Sequence, residues 1–328
     1  MACRSLLVLI PPLLLLVALA CGGGQKAPSP VSTDSLIIAL DDEHEGTTSA
    51  LLTLIDVSSG EIVAQLTSGY QTWALYRPSA SELLVSDFEG DDFQGRLRVY
   101  DIADIGSPKW TLPMRDRGAA TVYAQAMALS NDERYLYYAI HTRDERGEPA
   151  AGYARLIGII DLEARREIDR VELPSGCGGY KTLTAIETSG AEVFCPPNRT
   201  VTVSADSAVS EVSAAGLPSW ASEPAVVTGC FGPGLTAPCR LDDGRRVVAQ
   251  RSGGEDNTLN RLLVYTGTKS EDVQTLDLRE GIVDFALVES GTVALLEESG
   301  TIYLVDLASG EMTGELEAPS GAKWLVGP

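Results

Sequence analysis

Histidine is nearly missing from this chain of 328 residues, which holds only His44 and His141. No Gly-x-Ser-x-Gly elbow, Cys-x-x-Cys-His, His-Glu-x-x-His or glycine-rich phosphate loop is present. Those absences remove the support for a serine hydrolase triad, covalent haem, a zinc peptidase and nucleotide chemistry. Both histidines lie in polar stretches and read as solvated loop residues. Cations are also scarce: 25 Lys and Arg face 46 Asp and Glu, a formal charge of −21. Such a surface repels phosphate backbones and anionic headgroups, so nucleic acid is excluded as a partner. A 3.6-residue apolar period is almost nowhere found, which argues against helical and α/β architectures.

One long apolar run does occur, from Leu6 to Ala20, preceded by Arg4 and broken by Pro11-Pro12. As a helix it would reach about 22 Å, short of a hydrocarbon core of about 30 Å, so it reads as a secretion signal rather than a span. The run ends in Val17-Ala18-Leu19-Ala20-Cys21, which resembles the bacterial lipobox, with Ala18 where leucine is commoner. The resemblance implies cleavage before Cys21 and a lipid on that cysteine. Residues 1–20 are then a signal peptide, 21–34 a lipidated, Gly- and Pro-bearing tether, and 35–328 the folded domain. Losing Arg4 takes the formal charge from −21 to −22. The expected location is extracytoplasmic, at a bacterial cell membrane; which membrane is left open.

Four cysteines remain in the domain: Cys177, Cys195, Cys230 and Cys239. An even number in an oxidising compartment points to two disulfides. Three pairings are possible; Cys177 with Cys195 and Cys230 with Cys239 are preferred, since each pair brackets a short Gly- or Pro-rich excursion. No Cys-x-x-Cys pair exists and neither histidine is near a cysteine in sequence, which disfavours zinc.

Four segments share one pattern: LTLIDVSSGEIVAQL from Leu52, LRVYDIADIGSPKWTL from Leu97, IGIIDLEARREIDRVEL from Ile157 and IYLVDLASGEMTGELE from Ile302. Each is an alternating apolar strand, an aspartate, a polar turn and a second strand. Asp56, Asp101, Asp161 and Asp306 are placed to accept turn amides, and Gly60 and Gly310 to take positive φ, so a structural role is predicted. Weaker copies start at Thr200 and Arg261, with Ser204 and Thr266 in place of the aspartate. The intervals Asp56 to Asp101, Asp101 to Asp161, Ser204 to Thr266 and Thr266 to Asp306 are 45, 60, 62 and 40 residues. Periods near 40, with two further strands preceding each hairpin, predict four-stranded propeller blades.

TIYLVDLASGEMTGELE and LSNDERYLYYAI from Leu129 resemble the YVTN-type, WD40-like β-propeller repeats of secreted and surface prokaryotic proteins. Asn131 and Glu133 stand where that family commonly has Pro and Gly. The expected fold is all-β, a propeller of six or seven blades: six by counting, seven or eight if the long intervals hide a degenerate unit. Leu36–Leu40 and Ala322–Val326 are expected to share one blade and close the ring.

Two acidic stretches could hold a hard cation such as Ca²⁺: Asp41, Asp42 and Glu43, followed by His44-Glu45, and Asp87, Glu89 and Asp91, followed by Asp92. The second fails the EF-hand pattern, with Asp92 at its sixth position and Arg98 at its twelfth. Against both stands the plainer reading of a solvated loop, and no other cofactor is implied. Of the four tryptophans, Trp73 and Trp324 fall on innermost strands and could line a pocket, whereas Trp110 and Trp220 read as packing. The expected role is a binding or scaffold module for a protein, peptide or glycan. The rival is a metal-dependent, lactonase-like hydrolase with its cation in the axial channel, and whether any catalysis occurs is left open.

Overall fold

The computed structural model describes residues 35–41, 49–89, 94–114, 121–143, 156–175, 177, 182–186, 189–195, 199–212, 227–228, 239–241, 243–251, 258–266, 273–289 and 291–327. The signal, the lipobox and the tether lie outside them. Among the described residues no helix is long and apolar enough to cross a membrane.

Apolar alternation becomes strand wherever the sequence repeats, and the strands pair with their sequence neighbours. The first sheet holds β1 (Leu36–Asp41), β2 (Ala50–Asp56) and β3 (Ile62–Ser68). The second is β4 (Tyr70–Arg77), β5 (Glu82–Glu89), β6 (Gln94–Asp101) and β7 (Trp110–Pro113). The third is β8 (Thr121–Leu129), β9 (Tyr135–Arg143), β10 (Leu156–Asp161) and β11 (Arg166–Glu172). The fourth is β12 (Thr182–Ile186), β13 (Gly190–Cys195), β14 (Arg199–Ser204) and β15 (Val209–Val212). A fifth, longer sheet contains β16 (Val227–Thr228), β17 (Cys239–Arg240), β18 (Arg246–Arg251), β19 (Leu259–Tyr265), β20 (Val273–Glu289), β21 (Thr292–Glu297), β22 (Thr301–Asp306) and β23 (Met312–Glu317). The last strand, β24 (Trp324–Val326), returns to the first sheet, pairing antiparallel with β1 so that Ile38 faces Val326 and Leu40 faces Trp324.

The core lies between sheets rather than within one layer. Leu84 and Leu97 of the second sheet pack with Leu136 and Ile160 of the third. Tyr137 and Ile157 of the third meet Val193 and Val201 of the fourth. Ala294 and Ile302 of the fifth meet Ile37 and Ile55 of the first. First strands neighbour one another: β4 lies beside β8, β8 beside β12, and β20 beside β24. Meanders stacked face to face through their first strands are a β-propeller arrangement. Each wholly buried leucine or isoleucine contributes about 1.5–3 kcal/mol. A turn hydrogen bond contributes only about 1 kcal/mol, so packing joins the sheets and turns set their register.

The sheet count corrects the expectation of six or seven blades: the described residues form five sheets, four of four strands and one of eight. The reason is β20, whose residues Val273–Asp277 pair with β19 while Ile282–Glu289 pair with β21. Gly281, at φ +84°, and a register shift mark the point where the strand changes partner without breaking.

The repeated aspartates do hold turns. Asp56 Oδ1 accepts from Ser58 N at 2.8 Å, Asp101 from Ala103 N at 3.0 Å, Asp161 from Ala164 N at 2.8 Å and Asp306 from Ser309 N at 2.7 Å. Gly60 and Gly310 take φ of +72° and +73°. A Cβ there would stand 3.1 Å from Leu316 and 2.9 Å from Leu276, leucines of the preceding outer strands, so each turn also keys into its neighbour. In the third sheet Gly158 faces Tyr138, whose ring would meet an added Cβ at 2.1 Å and whose hydroxyl donates to Glu167.

Candidate functional site

At the end of the fifth sheet away from the Asp306 turn, three pieces of chain surround an open groove of about 1030 Å³. They are the β21–β22 turn at Glu298–Gly300, the end of β23 at Glu315–Glu317, and residues 318–323, which lead into β24. Backbone hydrogen bonds tie residues 318–323 to the β21–β22 turn on one side and to β1 on the other. Ala318 N donates to Gly300 O at 2.7 Å, and Lys323 N donates to Leu40 O at 2.9 Å. Gly321 sits at φ +89°, and a Cβ there would meet Asp41 Oδ2 at 2.6 Å, so conformation and space both demand glycine.

The floor is apolar: Val283, Leu316 and Ala322 belong to the cluster that joins the fifth sheet to the first. Trp324 is half-buried beside them. Its strand is fixed on both sides, by the ladder to β1 and by Leu325 N, which donates to the buried Asp284 Oδ2 at 2.7 Å. The rim carries Glu298, Glu315 and Glu317, all exposed, and Lys323. Among the described residues no hydrogen bond or ion pair engages those three carboxylates. Glu297, one residue before Glu298, behaves otherwise. Ser299 Oγ donates to it at 2.5 Å, which, against the opposing effect of burial and with help from Arg279 and Tyr303, holds its carboxyl below the usual range.

The predicted site residues are scattered. Trp324 lines the groove; Trp73 does not, and packs instead on the cluster between the second and third sheets. Asp41 is buried at the end of β1. Asp87 is buried on β5, where its Oδ2 accepts from Ser68 Oγ at 2.5 Å and Gly69 N at 2.8 Å and pairs with Arg98. That carboxylate ties the β3–β4 connection to β6. Asp42, Glu43 and Asp91 lie outside the described residues, as does the side chain of Glu89. Among the described residues no group of three His, Cys, Asp or Glu side chains is arranged to hold a metal ion. Cys177 and Cys195, both buried, form a disulfide with Cα atoms 4.7 Å apart. Cys239 is also disulfide-bonded, and Cys230, its expected partner, lies outside the described residues.

Sequence reasoning missed Glu298, Glu315 and Glu317. Their one signal was the alternation of β23, MTGELE, which puts Glu315 and Glu317 on the same face.

No protein family matches the chain, and no curated protein does. Among solved structures it is similar to U3-55K, at 14% identity over 74% of this chain, with a TM-score of 0.41. The chain covers 63% of that protein's length. It is also similar to a chain of the nidogen/laminin complex, at 8% identity over 89% of this chain and 96% of that one, with a TM-score of 0.49. The propeller arrangement rests on the strand pairings themselves.

Proposed function

We propose that this protein is an extracytoplasmic lipoprotein, anchored through Cys21, whose propeller is a binding or scaffold module for a macromolecular partner. The YVTN-like repeats and the return of β24 onto β1 support a closed ring, which leaves no long open sheet edge at that join. The observation that carries the binding role is the groove: an open space of about 1030 Å³ with an apolar floor, bordered by Glu298, Glu315 and Glu317, which no hydrogen bond or ion pair engages among the described residues. Binding sites combine such a floor with a few convergent polar groups. The disulfide suits an oxidising compartment.

The test is site-directed photocrosslinking of the full chain in its membrane, with the probe at Thr301 in the groove or at Ser309 on the far turn. A discrete adduct at Thr301 alone is expected; adducts of equal yield at both positions would sink the proposal. Palmitate labelling that survives Cys21→Ser would remove the anchor. A melting shift with Ca²⁺ that EDTA reverses would restore the metal-dependent reading.

A further inference from the structure

Resting on the anchor at Cys21, we infer that the end of the propeller carrying the aspartate turns faces the membrane, while the groove opens away from it, to partners on the far side. The entry point of the chain is the first argument. Ser35, just before β1, accepts from Val57 N at 2.8 Å through its carbonyl and donates from Oγ to Asp56 Oδ1 at 3.1 Å. The chain therefore enters the fold beside the Asp56 turn. Register puts Leu36 opposite Asp56 and Asp41 opposite Leu51, so β1 runs from that turn toward the groove. At its far end Leu40 O accepts from Lys323 N, and Gly321 packs against Asp41. Tether and groove thus meet opposite ends of one six-residue strand, about 20 Å apart. The reverse orientation would draw the tether outward over β2 and β3 and back along the sheet. That path uses most of the span of at most about 45 Å that residues 22–34 can reach.

Exposed apolar side chains give the second argument, once the other turns are assigned to an end. β22 starts at the groove, where Ala318 N bonds Gly300 O, so Asp306 at its C-terminal end lies on the Asp56 side. Ser68 and Gly69, at the end of β3 away from Asp56, donate to Asp87 near the end of β5, so the Asp101 turn also lies with Asp56. Ile102 N bonds Ser81 O, Ser79 N bonds Glu133 Oε2 at 3.0 Å and Leu162 N bonds Arg134 O, which brings the Asp161 turn to the same end. The described residues expose three large apolar side chains, Ile62, Ile168 and Met312. Each lies in the first half of an outermost strand, β3, β11 or β23, next to the Asp56, Asp161 or Asp306 turn. Among the described residues none is exposed at the groove end. Glu61 and Glu311, exposed beside Ile62 and Met312, resist desolvation and hold this end at the lipid surface rather than in it.

The experiment is energy transfer from a fluorescent amino acid to acceptor lipids, on the full lipid-bearing chain in phosphatidylcholine vesicles. The donor stands at Ser59 or Ala308 on the aspartate-turn end, or at Glu298 or Ser320 on the groove end, all exposed. Transfer at Ser59 and Ala308 should exceed transfer at Glu298 and Ser320 at least twofold. Equal transfer at the two ends, or more at the groove end, would overturn the inference. Melting curves of the four labelled chains check that the fold is intact. Flotation with the vesicles separates the orientation from the anchor. A chain that floats, and stops floating on Cys21→Ser, keeps its anchor even where transfer is equal at both ends. If the parent chain does not float, or Cys21→Ser floats as well as the parent, the anchor falls and the orientation falls with it.

Discussion

The two ends of β22 are built to opposite rules. At its C-terminal end Asp306 is saturated: the backbone N–H and the hydroxyl of Ser309 both donate to Oδ1 at 2.7 Å. At its N-terminal end, around Thr301, Glu298, Glu315 and Glu317 stand exposed, and among the described residues no hydrogen bond or ion pair engages them. Acidity is common to both ends; what differs is whether the carboxylate is used by the fold. Turn carboxylates should therefore govern stability and its pH dependence, and groove carboxylates should govern binding alone.

The largest losses are expected where covalent or steric constraints fix the chain: the disulfide of the fourth sheet and Gly321 at the groove. Replacing Cys177 and Cys195 together by Ser should cost about 3 kcal/mol, because an 18-residue separation loses its cross-link; denaturant titration measures this. Gly321→Ala should cost about 2–3 kcal/mol, combining positive φ with the collision against Asp41. The same change at Gly310 should cost less, about 1–2 kcal/mol, since the crowding atom is the mobile end of Leu276. On the turn side, Asp161→Ala should cost about 1–2 kcal/mol through loss of its bonds from Ala164 N and Arg134.

Acid sharpens the contrast. The Asp161 carboxyl is held below 3.8 by the Ala164 amide, opposed by burial and reinforced by Arg134. The Ser309 amide and hydroxyl lower Asp306 in the same way. At Asp56 burial pushes upward, and the hydrogen bonds from Ser58 and Ser35 outweigh it. Groups depressed in the folded state stabilise it above the unfolded value, and that stability is lost as pH falls from about 3.8 through the lower folded value. Asp56→Asn, Asp161→Asn and Asp306→Asn combined should flatten the acid limb of a melting-temperature profile. Glu298→Gln, Glu315→Gln and Glu317→Gln combined should leave that limb unchanged and shift stability at neutral pH by less than about 0.5 kcal/mol, the smallest effect expected.

The hairpins were legible because a period-2 pattern ending in Asp leaves few alternatives, and the return of the C-terminal strand was readable from the missing strand beside β1. The joining of two such units in the fifth sheet was not: nothing in VQTLDLREGIVDFALVE shows that the outer strand from Val273 and the inner strand at Val283 run on as one. The chain instead stays extended, with Gly281 O accepting from Glu298 N at 2.8 Å and Arg279 lying 4.3 Å over the Tyr303 ring. The hairpin expected from Thr200 forms although Ser204 stands where the other repeats have aspartate. Its work passes to Asp206, which accepts from Ser204 Oγ and from Ala208 N at 3.4 Å. The same Ser-x-Asp device closes Ser130 to Asp132, where Glu133 takes φ +53°. The groove glutamates were hidden by abundance: among 46 acidic residues nothing in sequence separates three that the fold leaves unused.

The pairing of β24 with β1 also has a temporal meaning. A chain made from its N-terminus completes β1 long before Trp324–Val326, so that edge of β1 waits uncovered until β24 follows. A product truncated before Trp324 would keep an apolar strand open to proteases and to other chains.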